Sequence, residues 1–361
     1  MQKKKVVLGM SGGVDSSVAA YLLQKEGYEV IGVTMNVWKK EGEEMIERKG
    51  GCCGLSDIED ARRIADKLDI EHHILNFRGD FQRKVVQNFI EEYKEGRTPN
   101  PCIACNRYVK WQSLLAKTIL FEADFISTGH YATIIKNPIN GRFAIKISEG
   151  DGHKDQSYVL FNLSQEQLAR SIFPIGKYSK DKIREMAKNI DVIMANKPDS
   201  QDICFIPDNN YGEFLEEQLD KIKEGNFLDV NGNIIGRHKG IIYYTIGQRK
   251  NLGTSFGVPM YVKEIRPKSN EVVLASDSEL FEKNLVAYDL NFMYLSKEEI
   301  GNDMEVYAKI RYSHTPSKAF ISLKQDKIYG IFEEAQRAIT KGQAVVFYDK
   351  EGHIIAGGTI C

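Results

Sequence analysis

Val6-Val7-Leu8-Gly9-Met10-Ser11-Gly12-Gly13-Val14-Asp15-Ser16-Ser17, continuing through Val18 to Leu23, is the stretch that decides the fold. Val6 to Leu8 read as a buried strand, the Ser11 to Ser16 segment as a tight turn, and Val18 onward as the first turns of a helix. The turn therefore stands at a helix N-terminus. Glycines let the backbone close on a ligand, the first N–H groups of the helix lack partners, and the helix dipole adds about half a positive charge there. Such a site suits phosphate, and a nucleotide is the expected ligand, with an ordinary strand-to-helix turn as the alternative. No Gly-Lys-Ser or Gly-Lys-Thr follows the glycines, and the spacing is not that of a dinucleotide fingerprint.

The stretch resembles the PP-loop of ATP pyrophosphatases. That resemblance implies cleavage of ATP between its α and β phosphates, with the adenylyl group activating a carbonyl-like oxygen.

The 361 residues exceed one typical core, so two or three domains are expected. Hydrophobic content of 42% and charged content of 27% fit a soluble globular protein. Lysines run straight into the first strand, leaving no room for a leader, and no apolar run reaches the roughly 18 residues of a membrane span, so a cytoplasmic location without membrane attachment is expected. Net charge of −1 gives no global attraction to nucleic acid, and any RNA surface must be local.

Residues 1–205 alternate short apolar strands with helical patterns, which predicts an α/β domain with a parallel sheet and helices on both faces. Val30 to Val33 and His72 to Leu75 read as strands. Ser56 and Glu59 read as a capping box opening a helix through Ala61, Ile64, Ala65 and Leu68, and Ser164 with Gln167 as another. A helix through Val85, Val86, Phe89 and Tyr93 ends at Gly96, and the prolines of Arg97-Thr98-Pro99-Asn100-Pro101-Cys102 predict a loop. The next helix places Trp111, Leu114, Leu115 and Ile119 on one face, and the strand Phe125-Ile126-Ser127 delivers Thr128-Gly129-His130-Tyr131 to the ligand end of the sheet.

Glycines crowd the chain beyond residue 206, which predicts a small central domain over 206–275. There Arg237, Lys239, Arg249, Lys250, Lys263, Arg266 and Lys268 face only Glu264, a pattern that fits a phosphate-binding stripe or a solvated face equally. Alternation in Val306 to Tyr312 and the strand-like Ala344 to Tyr348 predict a C-terminal β-barrel over 276–361.

Six cysteines without a secretory leader point to redox or metal chemistry. Cys102 and Cys105 form a Cys-x-x-Cys expected in a proline-bounded loop, with Arg107 and Lys110 close by, and Cys204 lies far downstream in Asp199-Ser200-Gln201-Asp202-Ile203-Cys204-Phe205. A nucleophilic cysteine needs nearby cations or a helix-end dipole. A structural zinc site drawing on Cys52 or Cys53 is the alternative, although adjacent cysteines do not easily both reach one tetrahedral ion.

A PP-loop, Cys105-Asn106, Gly129-His130-Tyr131-Ala132, Lys154-Asp155-Gln156-Ser157-Tyr158, Asp202-Ile203-Cys204-Phe205-Ile206, Tyr244 to Lys250 and Arg311-Tyr312-Ser313, in this order, resemble the tRNA-specific 2-thiouridylases of the MnmA family, which include the mitochondrial TrmU enzymes. The resemblance implies an adenine nucleotide α-hydrolase-like PP-loop domain, a small central domain and a tRNA-contacting barrel. It implies 2-thiolation of the wobble uridine in the anticodon stem-loop, using ATP with Mg and releasing AMP and pyrophosphate, with sulfur supplied by a cysteine desulfurase or sulfur relay. By the same resemblance Cys204 carries sulfur as a persulfide, Cys105 is the nucleophile that liberates or directs it, and the two form a disulfide afterwards. Gly9, Met10, Ser11, Gly12, Gly13, Val14, Asp15, Ser16, Met35 and Gly129 are then the ATP contacts. Asn100, Pro101 and Cys102 are the residues near the target base, and His130, Lys154, Asp155, Gln156, Arg311, Tyr312 and Gln343 the other tRNA contacts. Many members carry Asn-Pro-Asp where this chain has Asn100-Pro101-Cys102. Cys102, Cys105 and Cys204 could together hold an iron–sulfur cluster with one open iron, a variant of the persulfide route. A PP-loop ligase or synthetase, which needs neither Cys105 nor Cys204, and a non-enzymatic nucleotide-binding module with an RNA-binding tail are the competing functions.

Overall fold

A computed structural model describes residues 3–37, 55–150, 152–198, 203–206, 210–219 and 221–361. The chain forms two compact units, residues 1–85, 102–209 and 351–354 in the first, and 86–101, 210–350 and 355–361 in the second.

The first unit is built on the parallel sheet that the N-terminal stretch predicts. Strands β1 (Lys5–Gly9), β2 (Glu29–Asn36), β3 (Glu71–Asn76) and β4 (Phe125–Thr128) stand with Ser171–Ile172 in the order β3-β2-β1-β4 and then Ser171–Ile172. Val6 pairs with both Val30 and Phe125, so β1 is central and flanked on both sides, which is why its Val-Val-Leu run is apolar throughout. Helix α1 (Val14–Lys25) buries Val14, Val18, Ala19, Ala20, Leu22 and Leu23, and α2 (Leu55–Lys67) adds Ala61, Ile64 and Ala65 to the same core.

The capping box at Ser164 and Gln167 forms as expected, with both reciprocal bonds present. Ser56 differs: the described part of α2 begins at Leu55, so Ser56 lies within the helix instead of capping it. Ile119 also departs from its expected buried face and is 70% exposed. The helix tightens there to a three-residue 3-10 turn, Ile119–Phe121, and stops at Glu122 with φ of 51°. The change of pitch rotates Ile119 away from the row that carries Trp111 and Leu114.

In the second unit, Tyr261–Arg266, Glu271–Ala275, Gly225–Leu228 and Ile234–His238 form a four-stranded sheet around Phe227, Tyr244, Val262, Val272 and Leu274. Six strands, Phe281–Phe292, Lys327–Arg337, Ser317–Lys324, Met304–Lys309, Ala344–Tyr348 and Ile354–Ile360, close into a barrel in that order. Strict alternation of buried and exposed residues along Lys327 to Glu333 fills its interior from one face. The alternation read through Tyr312 ends at Lys309, which puts Arg311 and Tyr312 in the turn beyond the strand. Among the described residues no helix is long and apolar enough to cross a membrane.

Candidate functional site

Met10 to Gly13 link the end of β1 to α1, whose N-cap is Gly13, and no side chain caps the helix start. Its first N–H groups are therefore left for an anion. The serine hydroxyls fold back on the loop. Ser16 Oγ and Ser17 Oγ donate to the Gly13 carbonyl at 3.2 and 2.8 Å, and Ser16 Oγ accepts the Ser11 N–H at 3.3 Å. Met10 is fixed by its N–H on the Val33 carbonyl at 2.9 Å and by Thr34 Oγ1, which donates to the Met10 carbonyl at 2.9 Å. Met35, half-buried, follows on β2. Gly129, just past β4, has no room for a side chain, because a Cβ would lie 2.7 Å from the Asp15 carbonyl carbon and the Ser16 nitrogen.

Two lysines flank this turn. Lys180 Nζ, on a side chain 9% exposed, sits 2.8 and 3.0 Å from the two Asp15 carboxylate oxygens, and Tyr131 OH donates to Asp15 Oδ1 at 2.7 Å. Lys197 reaches the other side of the loop, with Nζ 2.7 Å from Asp57 Oδ1, 2.8 Å from Asp60 Oδ2 and 3.4 Å from the Gly12 carbonyl. Burial opposes ionisation of Asp60, but Arg63 and Lys197 outweigh it and hold the carboxyl below its ordinary value. Sequence reading missed Lys180, Lys197, Asp57 and Asp60, since lone charged residues read as solvated and their partners here lie up to 185 positions away.

Cys102 and Cys105 occupy a helix and not the loop expected of them. The preceding helix stops at Lys94, and helix resumes at Pro101–Ala104 and continues as the π-wound Cys105–Leu114. Proline is suited to a first helical position because it has no N–H to leave unpaired, so Pro101 starts a helix. Cys102 is exposed and Cys105 half-buried. The adjacent Asn106 is buried, its amide donating to the Val159 carbonyl at 3.0 Å. Cys204 is half-buried. Its neighbour Phe205 packs edge-on against Phe81, with ring centroids 5.8 Å apart, while Ser113 Oγ donates to Asp80 Oδ2 at 2.7 Å. The short helix Arg78–Phe81 thus touches both the Cys204 segment and the helix that starts with Cys105. Cys52, Cys53 and Asp199 to Asp202 lie outside the described residues.

Several residues expected on an RNA surface spend their polar groups inside the protein. His130 is buried against Trp111 and Phe173 and bonds Thr128 Oγ1 through Nδ1 at 2.6 Å. Burial, with Lys110 adding to it, drives its pKa well below the ordinary value and keeps the ring neutral. Asp155 is buried, accepting from the Ser148 N–H at 3.0 Å and from Ser157 Oγ at 2.7 Å. Gln156 Oε1 accepts the Tyr131 N–H at 2.9 Å, and Lys154 beside it is half-buried. Gln343 donates to the Thr98 carbonyl at 2.8 Å, tying down the segment that leads to Asn100, Pro101 and Cys102. Arg311 Nη1 donates to the Arg337 carbonyl at 3.1 Å, and Tyr312 is 44% exposed. In the central stripe Arg237 and Arg266 pair with Glu224 and Glu264.

Family models match the chain in three consecutive blocks. Residues 4–208 match a tRNA methyl transferase HUP domain, 212–276 a tRNA methyl transferase PRC-barrel domain, and 282–360 an aminomethyltransferase beta-barrel domain. The tRNA-specific 2-thiouridylase MnmA of Lachnoclostridium phytofermentans is 55% identical over 98% of both chains. The MnmA 1 protein of Clostridium botulinum is 54% identical over 99% of both, and the MnmA of Clostridium perfringens 54% identical over 100% of this chain and 99% of its own. Identity at this level along the whole length shows that the chain belongs to the tRNA-specific 2-thiouridylase family, MnmA.

Proposed function

We propose that the protein is an ATP-dependent tRNA sulfurtransferase that converts the wobble uridine of tRNA to 2-thiouridine. The observation that carries this reading is 54–55% identity to MnmA relatives along the whole chain. The uncapped start of α1 supports the nucleotide half: Gly9 to Ser16, Met35 and Gly129 hold ATP with Mg, and the uncapped N–H groups take its phosphates. The C2 oxygen of uracil is a poor leaving group. Its attack on the α phosphate expels pyrophosphate and makes AMP the group that departs.

Sulfur then replaces the activated oxygen. The terminal sulfur of a Cys204 persulfide bonds to C2 as AMP leaves, and the Cys105 thiolate attacks the Cys204 sulfur, freeing the thiouridine and leaving a Cys105–Cys204 disulfide. A thiol reductant returns two electrons to reset the pair. Asn100, Pro101 and Cys102 meet the target base, and His130, Lys154, Asp155, Gln156, Arg311, Tyr312 and Gln343 shape or contact the tRNA surface. Wobble bases lie in a single-stranded loop and can be splayed out for this chemistry. The sulfur comes from a cysteine desulfurase or relay protein. The reading includes a cytoplasmic setting and a division into 1–205, 206–275 and 276–361, supported by the three matched blocks.

Mass spectrometry of nucleosides from tRNA incubated with the protein, ATP and a persulfide donor tests substrate and reaction together. We expect 2-thiouridine with wild type and none with Cys105→Ser or Cys204→Ser; full thiolation by both variants would sink the mechanism. A cluster-dependent variant is favoured by one observation, the placement of Cys102 and Cys105 one helical turn apart. With Cys204 these thiolates would supply three of a cluster's four ligands and leave one iron open. Iron analysis after anaerobic purification separates the routes, and a fully active, metal-free Cys102→Ala protein excludes the cluster.

A further inference from the structure

Gly12 rests directly on α2. Its φ is 69°, and a Cβ there would fall 2.2 Å from the Asp57 carbonyl oxygen. Lys197 closes this contact from the turn after the helix Val192–Ala195, bonding Asp57, Asp60 and the Gly12 carbonyl at once. Burial disfavours an ammonium there, but the two carboxylates outweigh it and raise the pKa, so the group stays charged. The backbone of Lys197 is held as well. Arg184 Nη1 donates to the Ala195 and Lys197 carbonyls at 2.9 and 3.3 Å, and the Lys197 N–H donates to the Met194 carbonyl at 3.0 Å. A cation anchored at both ends therefore grips the loop one residue before the helix N-cap.

A trans peptide is planar, with its C=O and the following N–H on opposite sides. Holding the Gly12 carbonyl toward α2 turns the Gly13 N–H the other way. We infer that Lys197 is a positioning residue for the nucleotide loop: without touching the ligand, it fixes the Gly12–Gly13 peptide so that the Gly13 amide is presented to a phosphate. The inference rests on the ATP-binding reading above and concerns the polyphosphate alone. The adenosine end of the nucleotide is not held by this peptide.

Calorimetric titration of the full-length protein with ATP and with adenosine tests it. In Lys197→Met the affinity for ATP is expected to fall about tenfold, the loss of one oriented amide bond to a charged oxygen, while adenosine affinity stays within about twofold. Lys67→Met, which removes an ammonium paired with Asp191 and not bonded to Gly12, is expected to change neither. Unaltered ATP affinity in Lys197→Met, equal losses for both ligands, or an equal loss in Lys67→Met would overturn the inference. A wild type that binds neither ligand would instead overturn the ATP reading. Should Lys197→Met fail to fold, glycine-selective 15N labelling of wild type decides: pyrophosphate shifts the Gly13 amide resonance if that N–H meets phosphate, and an unmoved resonance refutes it.

Discussion

Gly129 shows how much of the loop's shape is set by what a single position lacks. The nearest atoms to a Cβ there are backbone atoms of Asp15 and Ser16 at 2.7 Å, which cannot rotate away as a side chain would. Gly129→Ala is expected to push the first turn of α1 off the end of β4. The cost is about 2 kcal/mol of stability from overpacking, with ATP affinity falling at least about tenfold as the exposed amides lose their arrangement. Urea unfolding and calorimetry read the two effects, and undiminished ATP affinity would show that the close approach does not shape the site. The glycines of the loop were legible in the sequence because a turn into a helix N-terminus demands them locally. Lys180 was not, since its meaning comes from Asp15, 165 positions away, and nothing near it in sequence separates it from a surface lysine.

At the scale of elements, α2 and the turn after the helix Lys180–Ile190 are joined by charge. Asp191 takes Arg63 and Lys67 from α2 and also caps Val192–Ala195 by accepting the Met194 N–H at 2.8 Å. Burial opposes its ionisation, but Lys67, the Met194 amide and Arg63 outweigh it and hold the carboxyl well below the usual range. A depressed folded pKa gives stability that is complete above the unfolded value of about 3.9 and is lost as pH falls toward the folded value. Asp191→Asn should therefore cost about 2–3 kcal/mol at pH 7, and the gap to wild type should narrow by about 1 kcal/mol at pH 3. Urea midpoints at the two pH values check this, and a gap that does not change with pH refutes it. Strands were readable at this scale because the parallel sheet needs unbroken apolar runs. The cysteine helix was not, because Pro99 and Pro101 look alike in sequence while only the second occupies a helix start.

For the molecule as a whole, net charge near zero means that tRNA must be held by local cations rather than by a general field. Arg311, in the turn beyond a barrel strand, is one such cation in the proposed reading. Arg311→Ala is expected to weaken tRNA binding several-fold and to lower the slope of log K against log salt by about 0.7–0.9, one phosphate contact. Filter binding across a salt series measures both, and an unchanged slope would remove Arg311 from the interface. The pairing of β1 has a further consequence, for the order of synthesis. Val6 lies against Phe125, so a strand made at the start must wait for a partner more than a hundred residues later. At about 5–20 residues per second that wait lasts roughly 6–24 s, during which one flank of the apolar Val6-Val7-Leu8 run stays open on the nascent chain. The strand that opens the nucleotide site is thus among the last in its sheet to be covered on both flanks during translation.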